Sequence, residues 1–103
     1  MIVAIDIGNT NITTAFIEND TIIKNYRLTT KLQRTSDEYG LYFLTFLNEA
    51  HLKVEDIEDV IVSTVVPKIM YSFNHAIKKY LHHEPINIEA KSNSGIQIIT
   101  DQP

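Results

Sequence analysis

MIVAIDIGNTNITTAFIEND, residues 1–20, decides the fold. Met1 to Ile7 is a nearly unbroken apolar, β-branched run, the pattern of a strand buried on both faces, yet it carries a carboxylate at Asp6. Gly8-Asn9-Thr10-Asn11 is turn chemistry, because glycine and asparagine tolerate positive φ. Ile12 to Ile17 favours β structure again, so the two runs read as an antiparallel hairpin. Glu18-Asn19-Asp20 makes the next turn. Thr21 to Thr29 then reads as a third strand, with Ile23, Tyr26 and Leu28 as its apolar contributions. Three strands precede any helix.

The first helix begins near Thr35-Ser36-Asp37-Glu38, where Thr35 and Glu38 have capping-box spacing and Asp37 adds a favourable charge at the helix start. Tyr39, Phe43, Phe46, Leu47 and Ala50 recur at helical spacing and predict one stripe against a sheet. Val54 to Glu58 is polar, a loop or a single turn. Asp59 to Val66 repeats the buried-strand pattern and ends at Pro67. A second helix, about Lys68 to Leu81, places Ile69, Phe73, Ile77 and Tyr80/Leu81 on one face. Ile86 to Ile88 is a short strand, Lys91 to Gly95 a loop, and Ile96 to Ile99 the start of another strand. Strands one and four, separated by a helix, are expected to be parallel with a right-handed crossover. The order β-β-β-α-β-α-β is that of an α/β ribonuclease H-like (actin-like ATPase) half-domain, a mixed sheet with helices on its faces. Residues 1–103 read as one such half-domain.

The 103 residues suit one domain, since domains run most often to roughly 100–150 residues. A net charge of −4 with scattered lysines and arginines argues against a nucleic-acid partner, which needs a basic stripe. The chain has no cysteine, which excludes disulfides and thiolate metal sites and is compatible with a reducing cytoplasm. The amino terminus lacks a basic lead-in and meets a carboxylate at once, unlike a signal peptide. No run approaches the roughly 20 apolar residues that cross a bilayer. A soluble, cytoplasmic protein is expected.

Asp6 to Thr13 carries the chemistry. A carboxylate at the carboxyl end of a buried strand costs solvation free energy unless a cation or hydrogen bonds compensate. Gly8, without a Cβ, allows close backbone approach to a ligand. Successive amides of Asn9, Thr10 and Asn11 form a concave anion site suited to phosphate oxygens. Asp6 would then hold Mg2+ directly or through water. The same residues also read as a plain hairpin turn with Asp6 bonded to its backbone. The position of Asp6 inside Ile-Asp-Ile favours the ligand reading.

Other stretches read two ways. Arg34 to Gly40 is a helix start, or Arg34 pairs with a carboxylate through its planar fork. Ser63 and Thr64 lie where a parallel strand ends, the edge at which α/β sheets bind ligands, or they satisfy nearby backbone groups. His82-His83-Glu84 with His75 permits a metal reading, against a helix end that favours positive side chains. Tyr39, Tyr42, Phe43 and Phe46 read as core or interface. Lys91 to Gly95 lacks Walker spacing.

The first motif resembles the phosphate-binding hairpin of the sugar kinase, actin and heat-shock ATPase superfamily. Its Asp-x-Gly-Asn-Thr-Asn wording is similar to that of the type III pantothenate kinases, the Bvg accessory factor-like family. Arg34-Thr35-Ser36-Asp37-Glu38-Tyr39-Gly40 resembles that family's Arg-Thr-x-Asp-Glu-Tyr-Gly segment, and Ile61 to Pro67 its Ser-Ser/Thr-Val-Val-Pro strand end. The three motifs fall in family order along the whole chain.

The resemblance implies ATP-dependent phosphorylation of pantothenate, the first step of coenzyme A synthesis, by a homodimer using Mg2+ and a monovalent cation (K+ or NH4+). It implies that Asp6, Ile7, Gly8, Asn9, Thr10, Asn11, Ile12 and Thr13 cradle the ATP phosphates, with Asp6 the metal-linked carboxylate. The family's Tyr-Asp-Asn-Pro turn, whose tyrosine touches substrate, is represented by Thr100-Asp101-Gln102-Pro103, so Thr100 takes the substrate-contact position. The carboxylate base is expected beyond Pro103. With its turn-like ending, the chain is expected to be a truncated half, inactive alone. The alternatives are a non-catalytic binding or regulatory module of accessory-factor type, whose function would not depend on Asp6, and another actin-like kinase for sugar or acetate.

Overall fold

The first twenty residues fold as one antiparallel hairpin, and everything else is laid against it. The computed structural model describes residues 1–31 and 33–89. Strands β1 (Ile2–Ile7), β2 (Asn11–Glu18) and β3 (Thr21–Thr29) form a meander. Helix α1 (Ser36–Glu49), strand β4 (Asp59–Thr64), helix α2 (Met70–Ala76) and strand β5 (Ile86–Glu89) follow. The sheet order is β3-β2-β1-β4-β5, with β4 parallel to β1 and β5 parallel to β4. This is the element order and mixed sheet that the sequence predicts. The loop at Lys91 to Gly95, the strand at Ile96 to Ile99 and the turn at Thr100 to Pro103 lie outside the described residues.

The expected helices cover the sheet on one face. From β3 to β4 and from β4 to β5 the chain crosses the sheet in the same direction, and crossovers of one hand then place both helices on one side. Val3, Ile5 and Ile7 of β1, Ile12 and Phe16 of β2, and Val60 and Val62 of β4 share a single core with Tyr39, Phe43, Phe46 and Leu47 of α1 and Phe73 of α2. The opposite face holds a small separate cluster, Ala4 and Ala15 with Ile17 and Ile22, that no described helix joins. Of the three apolar residues expected to anchor β3, Tyr26 and Leu28 pack on the core while Ile23 stays exposed. A register shift at Phe16/Ile17 of β2 changes which β3 residues face the helices.

The turns divide their chemistry differently from the expectation. Asn19 and Asp20 have φ of 52° and 62°, the positive pair that a two-residue hairpin turn matched to strand twist requires. Gly8 has no positive φ. It is needed for closeness instead, because a Cβ there would stand 3.2 Å from the Asn11 carbonyl oxygen.

The second helix is composite. A 3-10 turn at Pro67–Ile69 leads into α2, and a π-helical turn at Ile77–Leu81 closes it. Its apolar residues Ile69, Phe73, Ile77 and Leu81 recur every four positions. That spacing drifts around a helix of 3.6 residues per turn, and the wider π turn keeps Ile77 and Leu81 on the buried side. His82, in the left-handed conformation at φ 58°, stops the helix.

Candidate functional site

Asp6 sits next to last in β1, on the face away from the helices, because Ile5 and Ile7 on either side turn into the core. Register places Thr13 of β2 and Ser63 of β4 directly beside it, one on each flank. Three side chains from three neighbouring strands therefore form an oxygen-bearing row. Asp6 is half-buried, and that burial pushes its carboxyl above the usual carboxylate range. No cation or donor among the described residues offsets the cost.

The hairpin tip lies just beyond Asp6. Its shape is held by the Gly8 N–H donating to the Asn11 carbonyl at 2.9 Å. Two further bonds tie it to β3's end: the Thr30 N–H donates to the Thr10 carbonyl at 2.9 Å, and the Thr30 hydroxyl to the Gly8 carbonyl at 2.8 Å. On the other side the Val65 N–H donates to the Ile7 carbonyl at 3.0 Å. Asn9, Thr10 and Asn11 are exposed. Among the described residues the Asn9 and Thr10 amides donate to no protein acceptor. Two free amides on a turn fixed at both shoulders are an anion-binding arrangement.

Of the eight residues in the motif, Ile7 and Ile12 point into the core and can offer a ligand only their backbone. Asp6 and Thr13 face the open side, and Gly8 to Asn11 form the rim. No group of three or more His, Asp or Glu side chains gathers anywhere among the described residues. The donor set fits Mg2+, which keeps several waters and is usually held by one or two carboxylates with substrate phosphates. It does not fit a cage made entirely of protein ligands.

The strand-end pair splits. The Thr64 hydroxyl accepts the Val66 N–H at 2.8 Å, the backbone-satisfying role. Ser63 is fully buried and its hydroxyl has no partner among the described residues. The histidines diverge: His75 Nδ1 lies 3.2 Å from the Ser36 hydroxyl, His83 Nδ1 lies 2.8 Å from the Leu81 carbonyl, and Glu84 pairs with Lys78 at 3.3 Å. Thr100, the expected substrate contact, lies outside the described residues.

Arg34 to Gly40 is built as a helix start. The Thr35 hydroxyl accepts the Glu38 N–H at 3.1 Å while Glu38 accepts the Thr35 N–H at 2.7 Å. Arg34 donates to the Thr29 carbonyl at 2.7 Å and lies 5.2 Å from the centre of the Tyr42 ring, with no carboxylate partner among the described residues. Two features of this segment are absent from the sequence reading. Asp37 accepts bonds from the Tyr80 hydroxyl at 2.6 Å and from Lys79 at 2.9 Å. The Tyr80 ring also lies against Gly40, where a Cβ would come within 2.0 Å of it. A glycine inside a helix was the available signal, since it commonly marks close packing. The sequence separation of 43 between Asp37 and Tyr80 hid the partner.

The model of the type III pantothenate kinase family matches residues 2–103. A type III pantothenate kinase from Bifidobacterium longum subsp. infantis is 47% identical over the whole chain, and one from Agathobacter rectalis is 45% identical. The chain spans about 40% of the length of each. Among solved structures, a Porphyromonas gingivalis protein described as an N-acetylglucosamine kinase superposes with a TM-score of 0.62 at 18% identity, over 86% of this chain and 34% of that one. YeaZ from Pseudomonas aeruginosa gives 0.60 at 8% identity, over 85% and 43%. These two likenesses concern the fold alone.

Proposed function

The chain belongs to the type III pantothenate kinase family, and on that premise we propose that it is the phosphate-binding, amino-terminal half-domain of an enzyme that phosphorylates pantothenate from ATP, the first step of coenzyme A synthesis. The observation that carries the proposal is the pairing of a half-buried, unpartnered Asp6 with the free amides of Asn9 and Thr10 at one end of β1.

In this reading Asp6 would hold the nucleotide's Mg2+, directly or through water, and the Asn9 and Thr10 amides would donate to phosphate oxygens. Gly8 keeps the turn tight, Asn11 and Thr13 supply polar side chains at the rim, and Ile7 and Ile12 lock the hairpin to the core. The metal ion, when bound, neutralises charge that develops on the transferred group. Phosphoryl transfer depends mainly on such positioning and neutralisation, which this half supplies without a nucleophile of its own. We place the base, the remainder of the pantothenate pocket and a site for a monovalent cation (K+ or NH4+) outside the 40% of the relatives' length that this chain spans. Thr100 stands at the substrate-contact position. Pairing of two copies and a cytoplasmic setting complete the proposal; both rest on family likeness.

Calorimetric titration of the chain with ATP and Mg2+, followed in parallel by amide shifts at Gly8 to Asn11, tests the assignment. Saturable binding with shifts confined to the hairpin tip, abolished by Asp6→Asn, is expected. Binding that Asp6→Asn leaves intact would remove Asp6 from the site.

A further inference from the structure

We infer that Ser63 is a further binding residue of this site, its hydroxyl hydrogen-bonding the water shell of the divalent cation–nucleotide received at Asp6. The inference rests on the assignment of Asp6 to that role.

Ser63 pairs in register with Asp6 on the adjacent parallel strand, where neighbouring strands lie about 4.8 Å apart. Both side chains project from the same face, since residues aligned across a sheet share a side. Ser63 is fully buried, and its hydroxyl meets no acceptor or donor among the described residues. An orphaned buried hydroxyl is a cost to the fold, one that alanine at the same position would avoid.

Two neighbouring groups at the end of β4 are engaged with backbone. The Thr64 hydroxyl takes the Val66 N–H, and the Val65 N–H reaches the Ile7 carbonyl. Among the described residues the buried Ser63 hydroxyl is left without a partner, and it lies beside a carboxylate that likewise has none. A hydroxyl both donates and accepts, so it suits a metal-held water. A hydrated hard cation offers such waters because it dehydrates reluctantly.

The test uses the 103-residue chain, Mn2+ with ATP as the paramagnetic probe, and a thermal melt without ligand. Ser63→Ala is expected to melt at the wild-type temperature or above. It should weaken Mn2+–ATP binding by about two- to tenfold, the size of one hydrogen bond to a neutral partner. Binding of ATP without the cation should be unchanged. A lowered melting temperature would mean the hydroxyl holds the fold, and unchanged Mn2+–ATP affinity would mean it touches no ligand; either overturns the inference. Asp6→Asn is run alongside. If it binds Mn2+–ATP as tightly as wild type, the assignment of Asp6 fails and Ser63 falls with it, an outcome separable from a Ser63 failure alone.

Discussion

Asp6 and Asp37 are perturbed in opposite directions by different causes. Burial raises Asp6, whereas hydrogen bonds from Tyr80 and Lys79, in that order, lower Asp37. The raised carboxyl holds its proton more tightly in the folded chain than in the unfolded one. Its ionisation therefore removes stability as pH rises from about 4 through the raised value. The lowered carboxyl does the reverse: its contribution is present above about 4 and is lost as pH falls through the depressed value. Urea midpoints between pH 3 and pH 7 check both signs. Asp6→Asn is expected to gain on wild type as pH rises, and Asp37→Asn to lose. Parallel profiles for the two variants would contradict this account. Asp6 was legible in sequence because a carboxylate interrupts an apolar strand. The Asp37 cluster was not, because its partners come from the far end of another helix.

Within α1, capping box and buried stripe were both readable from spacing. Thr35 and Glu38 close on one another, and Tyr39, Phe43, Phe46 and Leu47 are buried as their periodicity requires. What spacing does not reveal is how α1 meets the chain after α2. Gly40 leaves room for the Tyr80 ring, and that ring delivers its hydroxyl to Asp37. Gly40→Ala adds intrinsic helix propensity, so a helix viewed alone predicts stabilisation. The packing predicts the opposite. Tyr80 must swing away and give up Asp37, at about 1–3 kcal/mol, the usual range for overpacking. A denaturant melt decides between them, and Gly40→Ala paired with Tyr80→Ala should recover part of the loss. A gain in stability for Gly40→Ala alone would show that Tyr80 does not hold this position.

Across the whole molecule, β1 is the central strand, paired on both edges and covered by both helices on one face. Among the described strands β3 and β5 are outermost, and β3 exposes most of its residues, Lys24 and Asn25 among them. Native-state amide exchange should therefore be slowest in Val3 to Ile7 and fastest among the strands in β3, since protection follows burial and pairing. Equal protection in β1 and β3 would argue against this strand order. By itself the sequence determined the order of elements, the hairpin, the helix cap and the strand-end carboxylate. Each depends on residues close in the chain, where periodicity and turn chemistry are local physical constraints. Only the tertiary structure decided that both described helices share one face, that Gly8 serves closeness and not positive φ, and that Tyr80 fills the space over Gly40. It also decided that Ser63 stands beside Asp6 with its hydroxyl unused. These features depend on pairing between strands and packing between helices, contacts between residues far apart in sequence whose partners no local pattern names.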